Sequence, residues 1–338
     1  MLRPEHPNEF AALLREAAGA HRTIRLGGNF SKDCLGGTSA PSDLTISTAS
    51  MNRLLQYDPR DLTVSVEAGM PFAELSRILG KHHQMLPLDP PWLAESTVGG
   101  VLAANLSGPR RRLYGTARDM VIGMTFATLE GKLINSGGMV VKNVAGLDMA
   151  KLMIGSFGTL AAIATVNFKV FPAPVGSRTF VMEFETAAKA FAERDRILGS
   201  VLQPSAIDIV NWPRGFRLLI RAGGNAAVLD RYARELPGAR VEDDSVWEEL
   251  SQFPSRFMAE NPGAKIVTMT MPLSGMLRAV EQLTVPFVAR AGSGVVYAFH
   301  SKDAPEAPLA SDFATMTKVK EMFDPERLLN RGRLHGRI

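Results

Sequence analysis

Ser96-Thr97-Val98-Gly99-Gly100 opens the stretch that decides the fold, which continues through Ala103-Ala104-Asn105-Leu106-Ser107-Gly108 and closes on Gly155-Ser156-Phe157-Gly158-Thr159. Glycine serves where a backbone approaches a ligand closely or adopts positive φ, because it has no Cβ. Apolar, strand-like runs separate the three clusters. This pattern predicts several loops that converge on one extended, phosphate-bearing ligand.

Length and composition narrow the class of protein. The chain has 338 residues, so two domains are expected. Lys and Arg number 38 and Asp and Glu number 34, which gives a net charge of +4. This excess is too diffuse for nucleic-acid binding, although it favours an anionic ligand. Cys34 is the single cysteine, which excludes an internal disulfide, a cysteine-based zinc site and a self-contained iron–sulfur cluster.

The N-terminus gives no sign of targeting. Residues 1–6 have no apolar signal core, and no run reaches membrane-spanning length. We therefore expect a cytoplasmic protein without direct membrane insertion, which would reach the inner face of a membrane only through partners.

The periodicity predicts an α+β protein with three parts. The composition shifts at Phe171-Pro172-Ala173-Pro174, where the glycine clusters stop. Beyond this point, strand and helix patterns alternate in the order β-α-β-β-α and then α-β-α-β-β, which favours a helix-covered antiparallel sheet. We expect domains at residues 1–174 and 175–305. Residues 306–338 would form a helix and tail that return to the first domain.

The common nucleotide and metal motifs are missing. The sequence contains no G-x-x-x-x-G-K-[ST], no G-x-G-x-x-G after the first strand and no paired Cys/His spacing. No metal is expected. What remains is a cofactor held mainly by backbone amides, for which glycine-rich turns and helix N-termini are suited.

Five segments carry a family resemblance. Arg25-Leu26-Gly27-Gly28-Asn29-Phe30-Ser31 resembles the first FAD loop of the vanillyl-alcohol-oxidase (PCMH-type) flavoproteins, and Pro87 with Ser96–Gly100 and Asn105–Gly108 resembles the second. Within that superfamily, Ser107-Gly108-Pro109-Arg110-Arg111 and residues 140–148 are similar to the FAD-binding subunits of glycolate oxidase, as is the ending from Phe323 to Arg333. The resemblance implies a PCMH-type domain of two α+β lobes, a smaller cap domain and FAD between the lobes.

The resemblance also implies which residues would bind FAD. The backbone amides of the first loop and the Ser31 hydroxyl would cradle the pyrophosphate, through Gly27, Gly28, Asn29, Phe30 and Ser31. Asn tolerates left-handed geometry, so Asn29 would occupy a position where relatives carry Gly. The second loop would contribute Pro87, Ser96, Thr97, Gly99, Gly100, Asn105 and Gly108. Thr97 is expected to cap a helix whose free amides face phosphate; a capped helix packed through small residues is the alternative.

The third loop departs from the family pattern, because Ala161 and Ala162 follow Thr159-Leu160 where relatives have Gly. We still expect the Ile163 backbone near the adenine.

Lys142 would supply positive charge near the flavin pyrimidine edge; a surface pair with Asp148 is the alternative. Asn330, in the tail that approaches the ring, is assigned a catalytic role. One arginine of 110–112 would bind an anion, unless the run is a solvated turn.

We expect noncovalent FAD, because the first loop lacks the His to which relatives attach the flavin. Cys34, the only thiol nearby, is expected to be a small buried residue.

The resemblance implies an FAD-binding subunit of a glycolate or 2-hydroxy-acid oxidase, with a second flavoprotein subunit and an iron–sulfur subunit as partners. Two alternatives stay open, namely a flavin-bearing structural partner without turnover and a stand-alone oxidase of the same fold.

Overall fold

The first lobe consists of one helix on a small parallel sheet. In this computed structural model, the structure describes residues 1–37, 39–139, 148–302, 304–305 and 312–336. Helix α1 (Pro7–Gly19) has Pro in its first turn, where the missing N–H costs nothing, and buries Phe10 and Leu14. Strand β1 (Ile24–Gly27) pairs in parallel with β2 (Leu44–Ser47). The first glycine loop therefore begins where β1 ends.

The second lobe is built on a five-stranded antiparallel sheet. In sheet order its strands are β3 (Leu54–Asp58), β4 (Thr63–Glu67), β8 (Ala162–Lys169), β6 (Val121–Ala127) and β7 (Leu133–Gly137). Helices α2 (Phe72–Gly80), α3 (Val98–Ala103), α4 (Arg111–Tyr114), α5 (Ala117–Met120) and α6 (Ala150–Met153) accompany it. Strand β5 (Gln84–Met85) pairs with β9 (Phe171–Pro172). Val66, Phe126 and Phe168 of the sheet pack with Leu75 of α2 and Val101 of α3 in one core.

The cap contains a seven-stranded sheet in which every pairing is antiparallel. In sheet order its strands are β13 (Arg240–Glu242), β10 (Gly176–Phe184), β12 (Phe216–Gly224), β11 (Ala206–Val210), β15 (Phe287–Arg290), β16 (Val295–His300) and β14 (Lys265–Thr270). Leu218 and Ile220 of β12 share a core with residues of α7 (Ala187–Leu198), α8 (Ala226–Glu235) and α10 (Met276–Glu281).

The other face of the cap sheet is covered too. Leu219 packs with Trp247 and Leu250 of α9 (Ser245–Glu260). Successive residues of β12 point to opposite faces of the sheet, and both faces are apolar. Helices therefore cover the sheet on both sides. A helix-covered antiparallel sheet is the arrangement that the element order predicts.

The C-terminal segment returns to the first lobe. After α11 (Phe313–Phe323), the tail lies beside β1: Ile24 N donates to Leu328 O at 2.8 Å, and Asn330 N donates to Ile24 O at 2.9 Å. The short helix α12 (Arg333–Gly336) follows. The α+β fold class is confirmed, whereas the exact domain limits stay predictions. None of the helices in the described residues combines the length and the apolarity needed to cross a membrane.

Candidate functional site

The glycine loops and the C-terminal tail meet at one cleft, which we call the loop cleft. It is made of two adjoining hollows that share Leu26, Gly27, Gly28, Gly100, Ala103 and Phe157. The remaining lining residues are Asn29, Phe30, Ser31, Lys32, Asp33, Thr48, Ala68, Thr97, Gly99, Ala104, Gly158, Ala161, Ile163, Asn330 and Arg333. Segments far apart in the sequence thus converge, as the three clusters predict.

The first loop presents unpaired backbone amides. The N–H groups of Gly28, Asn29, Phe30 and Ser31 donate no hydrogen bond to any part of the chain that the structure describes. The Gly28 carbonyl, by contrast, accepts a bond from Ser47 Oγ at 2.8 Å. The loop is therefore held through a carbonyl while its donors remain available, and successive unpaired amides form a binding site for anions.

The left-handed residue of the first loop is Phe30, at φ 57°, and not Asn29 as the sequence suggested. The Phe30 ring turns back over Gly27, where an added Cβ would lie only 2.6 Å from Phe30 Cε1. The Arg25 guanidinium lies 4.4 Å from the centroid of the same ring. These contacts stabilise the left-handed backbone. Asn29 Nδ2 instead donates to Glu95 O at 3.1 Å, which ties the first loop to the segment before α3.

Thr97 is the N-cap of α3, as expected, but the amides at the start of this helix are not free. Val98 N donates to Met70 O at 2.9 Å, Gly99 N to Ala68 O at 2.7 Å and Gly100 N to Thr97 Oγ1 at 3.3 Å. The expectation that α3 presents free amides to a phosphate is therefore wrong. The start of α3 is fastened to the preceding turn, so it contributes a wall of small residues.

Four residues assigned to the second loop are not in the wall of the loop cleft. Pro87, Ser96, Asn105 and Gly108 do not line it. Gly108 is packed so closely that an added Cβ would lie 2.0 Å from Asp89 O. The glycine at position 108 thus allows two chain segments to approach each other closely, and its contact with FAD stays a prediction. We infer a supporting role for this group.

The third loop forms the apolar end of the loop cleft. Gly155, Phe157 and Gly158 adopt positive φ. Ile163 lines the cleft beside Ala161, in the part of β8 where the pairing with β6 shifts register. The position of Ile163 agrees with the expected adenine end, and its role remains a prediction.

The side chain of Asn330 is engaged by the backbone of two segments, and its catalytic role stays a prediction. Both donors of its side-chain amide are used, because Nδ2 donates to Leu26 O at 2.9 Å and to Phe157 O at 2.7 Å. Oδ1 accepts from Leu26 N at 2.7 Å. Asn330 adopts left-handed φ and is 4 % exposed. It is a clamp that holds β1 and the third loop together.

Lys142 lies outside the described residues, so its role near the flavin stays a prediction. Asp148, the alternative partner of Lys142, contacts Lys151 Nζ at 2.7 Å. Cys34 is exposed, contrary to expectation, and does not line the loop cleft.

The arginine run is divided between two tasks. Arg112 Nη1 donates to Pro204 O of the cap at 3.0 Å. Arg110 Nη1 contacts Asp89 Oδ1 at 3.1 Å. The run is therefore not simply a solvated turn.

Sequence reasoning missed two cations of the loop cleft. Lys32 is buried, and burial lowers the pKa of its ammonium to about 8. Arg333 is also buried and shares Asp33 with Arg25: Arg333 Nη2 lies 2.8 Å from Asp33 Oδ1, and Arg25 contacts Oδ2. A Lys or Arg in a loop normally indicates solvated surface, so only the burial in the structure identifies them.

The residues present fit FAD. Unpaired amides and a cation occupy one part of the loop cleft, as a diphosphate requires. Ala68, Ala161 and Ile163 give the other part an apolar wall, which suits an aromatic ring.

A larger cavity of about 810 Å³ lies between the second lobe and the cap. One wall of this cavity consists of residues 85–86, 89–95 and 109–110, which include Trp92. Helix α9 forms the other wall and contributes Trp247. Glu95 lines this cavity, while its carbonyl binds Asn29 of the loop cleft. The two spaces therefore lie on either side of one chain segment.

The polar lining of the large cavity is dominated by arginines paired with carboxylates. The arginines are Arg110, Arg221, Arg256 and Arg290. Arg221 Nη2 lies 2.5 Å from Asp244 Oδ2, and Arg290 contacts the buried Asp208. Asp89 is a lining carboxylate in left-handed conformation, at φ 43°. A strained residue that is not glycine commonly marks a functional site.

Comparisons with known proteins agree with this geometry. Residues 1–137 match a family described as an FAD binding domain. The chain is 29% identical to glycolate oxidase subunit GlcE of Escherichia coli, over 87% of this chain and 88% of that protein. It is 27% identical to glycolate oxidase subunit GlcD of Bacillus subtilis, over 63% of this chain and 45% of the relative.

Among solved structures, 4-ethylphenol oxidase from Gulosibacter chungangensis superposes with a TM-score of 0.75 at 12% identity, covering 98% of this chain and 88% of that one. At this identity the likeness concerns the fold alone. Together, the comparisons confirm the resemblance carried by the sequence motifs and FAD as the cofactor.

Proposed function

We propose that this chain, an FAD-dependent oxidoreductase with its FAD-binding domain at residues 1–137, is the FAD-binding subunit of a multi-subunit 2-hydroxy-acid dehydrogenase. The names of two relatives support this proposal, since both are subunits of a glycolate oxidase. The chain spans 88% of the first relative but only 45% of the second.

In this proposal the loop cleft holds FAD without a covalent bond. The amides of Gly28, Asn29, Phe30 and Ser31 would bind the diphosphate, and Ile163 would lie against the adenine. When bound, FAD supplies an acceptor for two electrons. A single cysteine cannot build an iron–sulfur cluster, so a second flavoprotein subunit and an iron–sulfur subunit would carry electrons onward.

The arginine-lined cavity between the second lobe and the cap is the observation that supports a 2-hydroxy acid as the substrate. Among the described residues, the Arg110 side chain donates one hydrogen bond, to Asp89, and a guanidinium has five donors. Arg110 can therefore bind a substrate carboxylate through its planar fork. The Asp89 carboxylate, held beside it, would accept the proton of the substrate hydroxyl as this becomes a carbonyl. Trp92 and Trp247 would restrict water.

A comparison of acids with alcohols tests this proposal. The FAD-loaded protein, alone and with its partner subunits, is assayed with glycolate, D-lactate and the corresponding diols, using an artificial dye as electron acceptor. The acids should react and the diols, which lack the carboxylate, should react at least about 100-fold more slowly. Equal rates would overturn the substrate class. No reaction with any of them, even with the partners present, would favour a flavin-bearing structural subunit.

A further inference from the structure

Lys32 is buried in the wall of the loop cleft, and no carboxylate of the described residues pairs with it. Its side chain is 9 % exposed. Nζ donates to Ser96 Oγ at 2.6 Å and to Ser31 Oγ at 3.0 Å, both of them neutral hydroxyls. None of the ion pairs found within the described ranges includes Lys32. A lysine is rarely buried unless its charge is balanced.

The charged groups around Lys32 do not balance it. On its own loop, both oxygens of Asp33 are taken by Arg25 and by Arg333 of the tail. The adjacent segment contributes Glu95, whose charge acts on Lys32 without direct contact. Cys34 is an exposed thiol, whose charge when ionised also acts on Lys32. Helix α3, which packs against this loop, carries no titratable residue.

The position of the ammonium shows where a balancing anion fits. An ammonium has three donors, and the two hydroxyls occupy two of them. Gly100 lines the same hollow, and a Cβ added there would lie 4.0 Å from Lys32 Nζ, so the ammonium is at the wall of the hollow and not in the protein core. The unpaired amides of residues 28–31 line the same hollow. One anion can therefore meet both the ammonium and the amides.

We propose that Lys32 is the counter-ion of the FAD diphosphate, bound through Nζ and held in place by the hydroxyls of Ser31 and Ser96. This inference rests on FAD occupying the loop cleft, and it is independent of which substrate the protein oxidises. Ser96, which does not line the cleft, thereby acquires a positioning role.

Titration of Lys32 gives the proposal a pH dependence. Because burial lowers its pKa to about 8, the ammonium is charged at neutral pH and loses its proton above that value. A bound diphosphate favours the charged form. FAD affinity should therefore fall as the pH rises past about 8, a range in which an exposed lysine remains charged.

The test measures binding to the apo form of the full chain. FAD and ADP, a diphosphate probe without flavin, are titrated at about pH 7 and about pH 9.5 into the unsubstituted protein, Lys32→Met and the control Lys132→Met. Lys132 is an exposed lysine paired with Glu130. Lys32→Met should weaken both ligands about tenfold or more at the lower pH and have much less effect at the higher pH. The control should match the unsubstituted protein.

Coincident titration curves for Lys32→Met and the unsubstituted protein would overturn the proposal while leaving the FAD site intact. The thermal midpoint of apo Lys32→Met should not fall, because the substitution removes a buried charge. If this variant does not fold, the unsubstituted protein alone decides, since unchanged ADP affinity between the two pH values would contradict the proposal. If the unsubstituted protein binds neither FAD nor ADP at either pH, the loop cleft is not the FAD site, and this proposal fails with that assignment.

Discussion

The side-chain amide of Asn330 binds the backbone of Leu26 on both sides: Oδ1 accepts from Leu26 N at 2.7 Å, and Nδ2 donates to Leu26 O at 2.9 Å. This pairing joins the C-terminal tail to the strand that leads into the first glycine loop. A further bond from Nδ2 to Phe157 O, at 2.7 Å, adds the third loop. One buried amide thus fixes the relative position of three segments around the loop cleft.

We predict that Asn330→Ala lowers the free energy of unfolding by about 2 to 4 kcal/mol, because two buried hydrogen bonds and one partly buried hydrogen bond are lost. Urea unfolding of the apo protein measures the change. Asn135→Ala, at an exposed residue of β7, serves as the control and should have little effect. An Asn330→Ala variant of unchanged stability that nevertheless lost turnover would contradict this structural role and support the catalytic one.

Removing one partner of the buried ion pair between Lys320 and Asp324 should also lower the free energy of unfolding. Lys320 Nζ lies 2.5 Å from Asp324 Oδ2 and also donates to Thr159 O at 2.7 Å, which connects α11 to the third loop. Asp324→Asn leaves the buried ammonium without a counter-charge, so we expect a loss of about 3 to 5 kcal/mol in the free energy of unfolding.

The matched control for this pair is Asp148→Asn, in the exposed contact with Lys151. It should change stability by less than about 1 kcal/mol, because water screens the pair. Similar urea midpoints for the two variants would show that burial does not decide the strength of these contacts.

Gly28→Ala should weaken FAD binding by about tenfold or more. A Cβ at position 28 would lie 2.1 Å from Thr97 Oγ1, so the first loop would have to move away from α3. Fluorescence titration of the apo variant with FAD measures the effect. Gly19→Ala, where nothing lies within 4 Å of the added Cβ, should bind FAD normally. Normal binding by Gly28→Ala would mean that contact between the loop and α3 is not needed.

Asp89→Asn should lower turnover of glycolate by about 100-fold or more while the FAD content stays the same, because the amide cannot accept the hydroxyl proton. Steady-state rates across a range of pH, together with the flavin absorbance of each preparation, provide the measurement. The control is Glu248→Gln, an exposed carboxylate of α9 in the same cavity. Equal losses in both variants would point to a general change in the cavity rather than to Asp89.

The sequence predicted the convergence of the glycine loops but not how each residue is used. Glycine clusters and an N-capping threonine are local signals, and Thr97 does cap α3. Whether the first amides of α3 are free depends on Ala68 and Met70, which lie in a separate turn. In the same way, the role of Asn330 depends on partners more than 170 positions away in the chain. Such pairings have no local pattern.

Three further features of the structure, namely an edge strand, a buried lysine and the large cavity, have no signal in the sequence. Strand β3 lacks a sequence signal, because its first three residues are exposed at the edge of the sheet and show no apolar alternation. Lys32 follows the predicted Ser31 directly, yet only the packing around it reveals a buried charge. The large cavity joins residues 85–95 to α9 across a domain contact, which no periodicity describes.

The measurement that tests the central claim most directly is the absorbance of the FAD-loaded protein near about 450 nm before and after anaerobic addition of glycolate. We predict loss of this band with glycolate and no loss with ethylene glycol, because electrons leave a 2-hydroxy acid held by its carboxylate. A band that persists with glycolate, D-lactate and other 2-hydroxy acids, in the presence of the partner subunits, would contradict the account.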